Sequence, residues 1–428
     1  MITSEFFKKI YFNRVGLMSK LLLILFCCLN FSACRTSRDS AKKDQTKPEV
    51  SVPVPDKKPA VPEVKEDNKN QVVKRKFALI MPFELEQNFK AESGESQEPE
   101  VSTSALNALN FFEGAKMAID SLKSQKVEIK LSSFDTPADS AGIVRMLSNA
   151  AVKDADMVFA MFPNNLVSAA AGIAKANNVK MILTQAGSPD LLKDNSNIAL
   201  AYASSKTQCI EMVDFMLDQF RDANIILVYR TVKREDELAS IFRDEINKVK
   251  GNSDFKEFNA TSKTTKEIAG LLNKTKRNLV FLISSDEAFV SPVLSLLEEQ
   301  NLFGIKVSGL PTWLNFESID FMNFHNLQVH LFDNNFIDLE KPVKAQFRKA
   351  FISRYYMDPM PSAYNGFELI YNIGGSLRDN YESMEKLMKL SFAGSDSYNF
   401  SDDVSGITEN KNVSVLHLID YRLEQLNK

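Results

Sequence analysis

The side chains able to do chemistry in this 428-residue chain are few and do not converge. Its three histidines are His325, His330 and His417, the first two five positions apart. That spacing does not suit one helix face, and no cysteine pair accompanies it, which argues against a zinc site. No glycine-rich phosphate loop precedes a Lys-Ser or Lys-Thr pair, and no Gly-x-Ser-x-Gly elbow occurs. Asp402-Asp403 and Glu298-Glu299 are acidic pairs of the kind found on solvated faces. Cys209 lies in a helical pattern, TQCIEMVDFML over residues 207–217, and reads as a small buried hydrophobe rather than a nucleophile. Trp313, the only tryptophan, follows Pro311-Thr312 at a strand end, where it would line a cleft or plug a lobe. With no nucleophile, base or metal set, the chain reads as a non-enzyme with no cofactor. The formal net charge is −3, and no basic run is interleaved with aromatics, so nucleic acid is not an expected partner.

The N-terminal stretch sets the compartment. An apolar run over residues 21–29 ends in Phe31-Ser32-Ala33-Cys34. It is shorter than the ~20 residues needed to span a bilayer and has the length of a signal-peptide core. Met18-Ser19-Lys20 is a more typical flank than Met1, so the start lies at either methionine. Phe31-Ser32-Ala33-Cys34 resembles a bacterial lipobox, with Phe31 in place of the usual leucine. The resemblance implies cleavage before Cys34 and lipid on its thiol and new amino group; ordinary signal-peptidase cleavage is the alternative. Two or three acyl chains, at ~0.8 kcal/mol per buried methylene, make a lasting anchor. Cys27 and Cys28 leave with the signal, so Cys209 alone remains and the mature chain forms no internal disulfide. Residues 34–76, rich in Pro, Lys, Glu and Val, cannot bury enough apolar area to fold and read as a disordered stalk, reaching ~120 Å extended. Arg35-Thr36 follows Cys34 where an aspartate would favour inner-membrane retention. The expected place is the cell envelope, lipid-anchored at the periplasmic face of the outer membrane.

From residue 77 short apolar runs alternate with amphipathic helices. Strands are expected at 77–83, 127–135, 155–162 and 179–186, with helices at 105–123, 139–151 and 166–177 between them. The first helix carries Leu106, Leu109, Phe112, Ala115, Ile119 and Leu122 on one face. A second series follows: strands at 224–230, 254–260, 278–285 and 305–310, helices at 206–222, 237–250, 265–276 and 291–301. The tail adds a strand at 326–336, helices at 341–357 and 363–379, a loop at 391–406 and a terminal strand at 412–423. Such alternation calls for two α/β units, each a parallel sheet with helices on both faces, and a crevice between them.

This order resembles the type I periplasmic solute-binding proteins, the superfamily of leucine/isoleucine/valine-binding proteins and receptor ligand-binding domains. Three marks carry it: Phe112-Glu113-Gly114-Ala115 with Met117-Ala118-Ile119; Gly366-Phe367-Glu368, where the family often has Gly-Tyr-Asp; and Phe400-Ser401-Asp402 through Gly406 before a final strand. The resemblance implies a two-lobed fold with three crossovers, lobe one at 77–201 plus 332–390 and lobe two at 202–331 plus 391–428. It implies a ligand at the carboxyl ends of strands. In lobe one these offer Asn164, Asn165, Thr184, Gln185 and Ser188, Asn164 also capping the next helix; in lobe two, Tyr202, Tyr229, Ser284, Ser285 and Trp313, with Phe367 nearby. Turn and cap chemistry would account equally well for Asn164 and Ser284, and a packed hinge aromatic for Tyr202. Amino-acid binders of the family commonly have Phe-Arg at the entry to lobe two; here the run is Ala201-Tyr202-Ala203, which removes a bidentate carboxylate partner. The expected function is capture of a small polar solute, an amino acid, peptide or related molecule, for a permease or sensor. The alternative is a ligand-free scaffold, similar to outer-membrane lipoproteins that activate a cell-wall synthase.

Overall fold

The computed structural model describes residues 71–86, 101–185, 187, 192, 195–251, 255–302, 304–377, 383–402, 407–419 and 422–427. The signal run, Cys34, the stalk up to residue 70 and Ser188 lie outside them.

The first strand, β1 (Val73–Met81), starts four residues earlier than its apolar run at Phe77. Its leading Val73-Lys74-Arg75-Lys76 is too polar to read as core, yet it pairs in register with residues 127–130 and the Val73 amide donates to the Lys126 carbonyl at 2.9 Å. The elements of the first series are α1 (Thr103–Lys123), β2 (Val127–Asp135), α2 (Ser140–Leu147), α3 (Ala150–Lys153), β3 (Met157–Ala160), α4 (Asn164–Ala176), β4 (Met181–Leu183) and β5 (Ile198–Leu200). The second series is α5 (Ser205–Gln219), β6 (Asn224–Tyr229), α6 (Lys233–Lys250), β7 (Lys256–Asn259), β8 (Asn278–Ile283), α7 (Glu287–Glu299), β9 (Ile305–Ser308), α8 (Phe321–Asn326) and β10 (His330–Asp333). Residues expected as a helix from 265 form a tighter 3₁₀ turn, Thr265–Leu271, with a capping box between Thr264 and Glu267. The tail gives α9 (Pro342–Tyr355), α10 (Pro361–Ser376), α11 (Met384–Ser391), β11 (Phe400–Asp402), β12 (Thr408–Asn410), β13 (Ser414–Ile419) and β14 (Arg422–Gln425).

The described residues form two seven-stranded sheets, ordered β2-β1-β3-β4-β5-β12-β11 and β7-β6-β8-β9-β10-β13-β14. The parallel run is six strands in the first sheet, β2 to β12, and five in the second, β7 to β10, and in both the order reverses beside the first strand of the series. That reversal is where a doubly wound sheet opens a crevice at its strand ends. β3, β4 and β8 are buried throughout, as parallel strands covered on both faces must be.

The chain passes between the sheets three times: after β5, after β10 and between β12 and β13. The last passage corrects the expected lobe division. β11 and β12 complete the first sheet, β12 pairing parallel to β5 with Glu409 opposite Leu200, so the lobes part at about residue 411 rather than 390. The run Thr408-Glu409-Asn410 is polar and three residues long, and only its partner shows it to be a strand. The single terminal strand expected at 412–423 is instead a hairpin, β13 with β14.

The first helix also turns differently from its apolar stripe. Ala105, Ala108, Phe111, Ala115, Ala118 and Leu122 are buried, and Leu109 is exposed. The small residues face α10 at very close range: a Cβ on Gly114 would collide with the Ala363 carbonyl, and one on Gly366 with the Phe111 carbonyl. Close backbone approach, not bulk, selects the buried face.

Candidate functional site

In lobe one the strand ends after β3 and β4 bring Asn164, Thr184 and Gln185 together. Asn164 is the first residue of α4 and not its cap; Pro163 holds the cap position and its side chain makes no cap bond. Gln185 donates from Nε2 to the Phe162 carbonyl at 2.6 Å and accepts from the Phe162 amide, so its amide continues the sheet by one rung. The same Nε2 reaches Asn164 Oδ1 at 3.3 Å. Thr184 is buried and its hydroxyl donates to the Ala160 carbonyl at 3.3 Å. Asn164 and Asn165 are exposed. Asp135, at the end of β2, accepts from the Glu84 and Leu85 amides at 3.1 and 2.8 Å, fastening the turn that leaves β1.

In lobe two the ends of β6 and β8 carry a charged cluster that sequence reasoning missed. Arg230 makes a paired contact to Glu235, Nε to Oε2 at 3.0 Å and Nη2 to Oε1 at 2.7 Å, and reaches Asp286 Oδ2 from Nη1 at 2.7 Å. Its guanidinium lies 4.8 Å from the Phe289 ring centroid. Glu235 is buried, and the bond to Arg230 holds the Asp286 carboxyl below its usual range. Ser284 belongs to this cluster: it is fully buried, donates to Glu235 Oε1 at 2.7 Å and accepts from the Asp286 amide at 3.1 Å. Tyr229 marked the strand end in the sequence, but Arg230 beside it gains meaning only from carboxylates five and fifty-six residues on.

Three expected cleft residues are elsewhere. Trp313 is 2 % exposed; its Nε1 donates to the Ser284 carbonyl at 2.7 Å and its ring packs edge-on to Phe324. It plugs lobe two, because Gly309 leaves room for the ring where any Cβ would strike it. Phe367 lies on α10 against Phe347 and stacks on Tyr371 at 5.5 Å, in the packing of α9 and α10. Tyr202 is buried at the first crossover, where its hydroxyl accepts from Asn365 Nδ2 at 2.7 Å and burial pushes its phenol well up. Tyr229 is half-buried with the Arg243 guanidinium 5.5 Å from its ring, and Ser285 is exposed. At the crossovers a cavity of about 30 Å³ is lined by Tyr202, Asn334, Asn365, Ser397, Tyr398 and Asn410. That is room for a water molecule, not for an amino acid. Among the described residues no group of three or more His, Cys, Asp or Glu side chains is placed to hold a metal ion.

No protein-family model matches the chain, and no curated protein matches it in sequence. Solved structures do match. A Rhodospirillum rubrum protein assigned to branched-chain amino acid ABC transport is 14 % identical, covers 83 % of this chain and 100 % of its own, and superposes with a TM-score of 0.59. A Burkholderia xenovorans branched-chain amino acid ABC transporter periplasmic ligand-binding protein gives 12 % identity, 82 % and 94 % coverage and a TM-score of 0.53. An ABC transporter substrate-binding protein of Desulfitobacterium hafniense in complex with Leu gives 15 % identity, 83 % and 99 % coverage and a TM-score of 0.51. The chain has the type I periplasmic-binding-protein fold. Arg230 and Asp286 stand at strand ends of the second lobe, Asn164 and Gln185 at strand ends of the first, and Tyr202 at the first crossover.

Proposed function

We propose that this chain is a non-catalytic envelope protein that captures a small polar solute between its lobes and presents it to a membrane permease or sensor. The observation that carries this reading is the architecture: two like-ordered sheets, joined by three crossovers, with polar side chains at the strand ends of both. Neighbours of the same fold are named as transporter substrate-binding proteins, one of them with leucine bound. The solute is an amino acid derivative or short peptide rather than a free amino acid held by the family's usual arginine. Tyr202 replaces that arginine's segment and turns into the hinge, and Arg230 already faces two carboxylates. Lipid on Cys34, with residues 35–70 as a stalk, would keep the protein beside its membrane partner, at the periplasmic face of the outer membrane.

A specific observation favours a second reading, a ligand-free scaffold or regulator, for example of peptidoglycan synthesis. Gln185, Ser284 and Trp313 all direct their polar atoms into their own lobe. One experiment separates the two readings. Thermal melting of the full chain against pools of amino acids, short peptides and muropeptides raises the midpoint with at least one pool if the solute reading holds. A flat response to every pool leaves the scaffold. Replacing Cys34 with Ala tests the anchor: the variant leaves the membrane fraction, and a chain that stays there overturns lipidation.

A further inference from the structure

The three crossovers are bonded to one another through polar side chains, most of them buried. Asn365, on α10 and 6 % exposed, donates from Nδ2 to the Tyr202 hydroxyl at 2.7 Å and to Asn335 Oδ1 at 3.3 Å, and accepts from the Tyr398 hydroxyl at 3.3 Å. Tyr202 is in the first crossover and Asn335 in the second, while Tyr398 leads into the strands before the third. Asn334 donates to the Ala203 carbonyl at 2.9 Å, tying the second passage to the first. Asn410 donates to the Ala201 carbonyl at 3.1 Å and accepts from the Asn412 amide at 3.0 Å, tying the third to the first.

Beside this knot lies a buried carboxylate that bridges the lobes. Glu409 belongs to β12 in the first sheet and is 1 % exposed. It accepts from the Ser204 amide, from Thr207 Oγ1 at 3.1 Å and from Lys411 Nζ at 2.6 Å. Ser204 caps α5, the opening helix of lobe two, and Thr207 lies in its first turn. A carboxylate there meets free amides and the positive end of the helix dipole. Lys411 also donates to Thr207 Oγ1 at 3.2 Å, closing the ring.

We propose that Glu409 and Asn365 are positioning residues that hold the two lobes in one relative orientation in the ligand-free protein, so that opening is controlled at the crossovers. Lobe rotation draws Ser204 and Thr207 away from Glu409 and Asn335 away from Asn365, while Tyr202 packs in the first lobe's core with the helix of Asn365 and moves with it. Taking the helix start from Glu409 leaves a buried carboxylate oxygen without its partner, which costs far more than losing the same bond in water. Such a hinge has discrete positions and does not swing continuously. The inference concerns the empty protein and stands whether or not a solute exists.

Spin labels at Ser168→Cys in lobe one and Ser262→Cys in lobe two, both exposed, report the interlobe distance by pulsed electron resonance. The full chain is used with Cys27, Cys28 and Cys34 changed to Ser; Cys209 is buried and stays. The parent gives one narrow distance distribution. Glu409→Ala and Asn365→Ala each broaden it and lengthen its mean, and Glu409→Gln, which keeps one acceptor oxygen, falls between. Lys411→Met, at a half-buried position, broadens it as well and serves if an alanine variant does not fold. A broad or two-peaked parent distribution overturns the proposal, as do folded variants indistinguishable from the parent.

Discussion

Acid should weaken this protein through one buried imidazole. His330 on β10 lies directly opposite His417 on β13, and the rings stack at 5.0 Å with 15° between their planes. Phe220 and Phe215 complete the surround at 5.8 and 6.5 Å. His330 Nδ1 is 2.7 Å from the Gln328 carbonyl, which fixes the proton on that nitrogen in the neutral ring. Burial, then His417, push its pKa from 6.5 to about 4, with Lys306 adding a smaller push in the same direction. The folded pKa is below the unfolded one, so the unfolded chain binds the extra proton between those two values. His330 therefore contributes its full stability above pH 6.5 and loses it as pH falls toward 4. At about 1.4 kcal/mol per pKa unit the loss is about 3 kcal/mol, a large share of the roughly 5–15 kcal/mol that holds a domain together. His417 is lowered too and loses stability in the same direction, though it faces Glu424 across the hairpin. Carboxylates titrate over part of this range, so the measurement is a difference. Urea unfolding of the parent and of His330→Gln, which keeps a donor for Gln328, is followed from pH 8 to pH 4. The parent loses about 3 kcal/mol more than the variant across that span. A parent-to-variant difference that does not change with pH refutes the reasoning.

Arg230→Met leaves the Glu235 carboxylate buried without its cation and should cost about 3–5 kcal/mol, with part recovered in the double variant with Glu235→Gln; a loss near zero in urea unfolding contradicts the pairing. Gly366→Ala drives a methyl into the Phe111 carbonyl and should lower stability by about 1–3 kcal/mol as α1 and α10 part; an unchanged unfolding midpoint contradicts that contact. Trp313 is the one tryptophan and is core, so its emission should be that of an indole out of water and should not move when a stabilising pool is added. A shift on addition returns Trp313 to the cleft.

The two sheets were legible because burial on both faces writes itself into composition: Phe77 to Met81 and Asn278 to Ile283 are runs with little polar interruption, and parallel strands demand them. Partner-dependent elements were not legible. β12 is three polar residues whose identity comes from β5, more than two hundred positions earlier, and the hinge knot joins Tyr202 to Asn365 across 163. The strand-end residues were found by position, but their side-chain directions were not. Strand order put Ser284 and Trp313 at strand ends, and the resemblance put Phe367 near them, yet each turns inward or outward according to a neighbour that neither shows: Glu235, Gly309 and Phe347. The buried stripe of α1 was shifted for a similar reason, since Gly114 and Gly366 let backbones meet where larger apolar residues had suggested the face.

The central claim is recognition between two lobes, and native mass spectrometry of the full chain incubated with the pools tests it most directly. The solute reading predicts one small polar molecule bound per chain, displaced or weakened when the exposed Asn164 or Asn165 is changed. A chain that stays unliganded with every pool, while the fold is intact by its tryptophan emission, contradicts it.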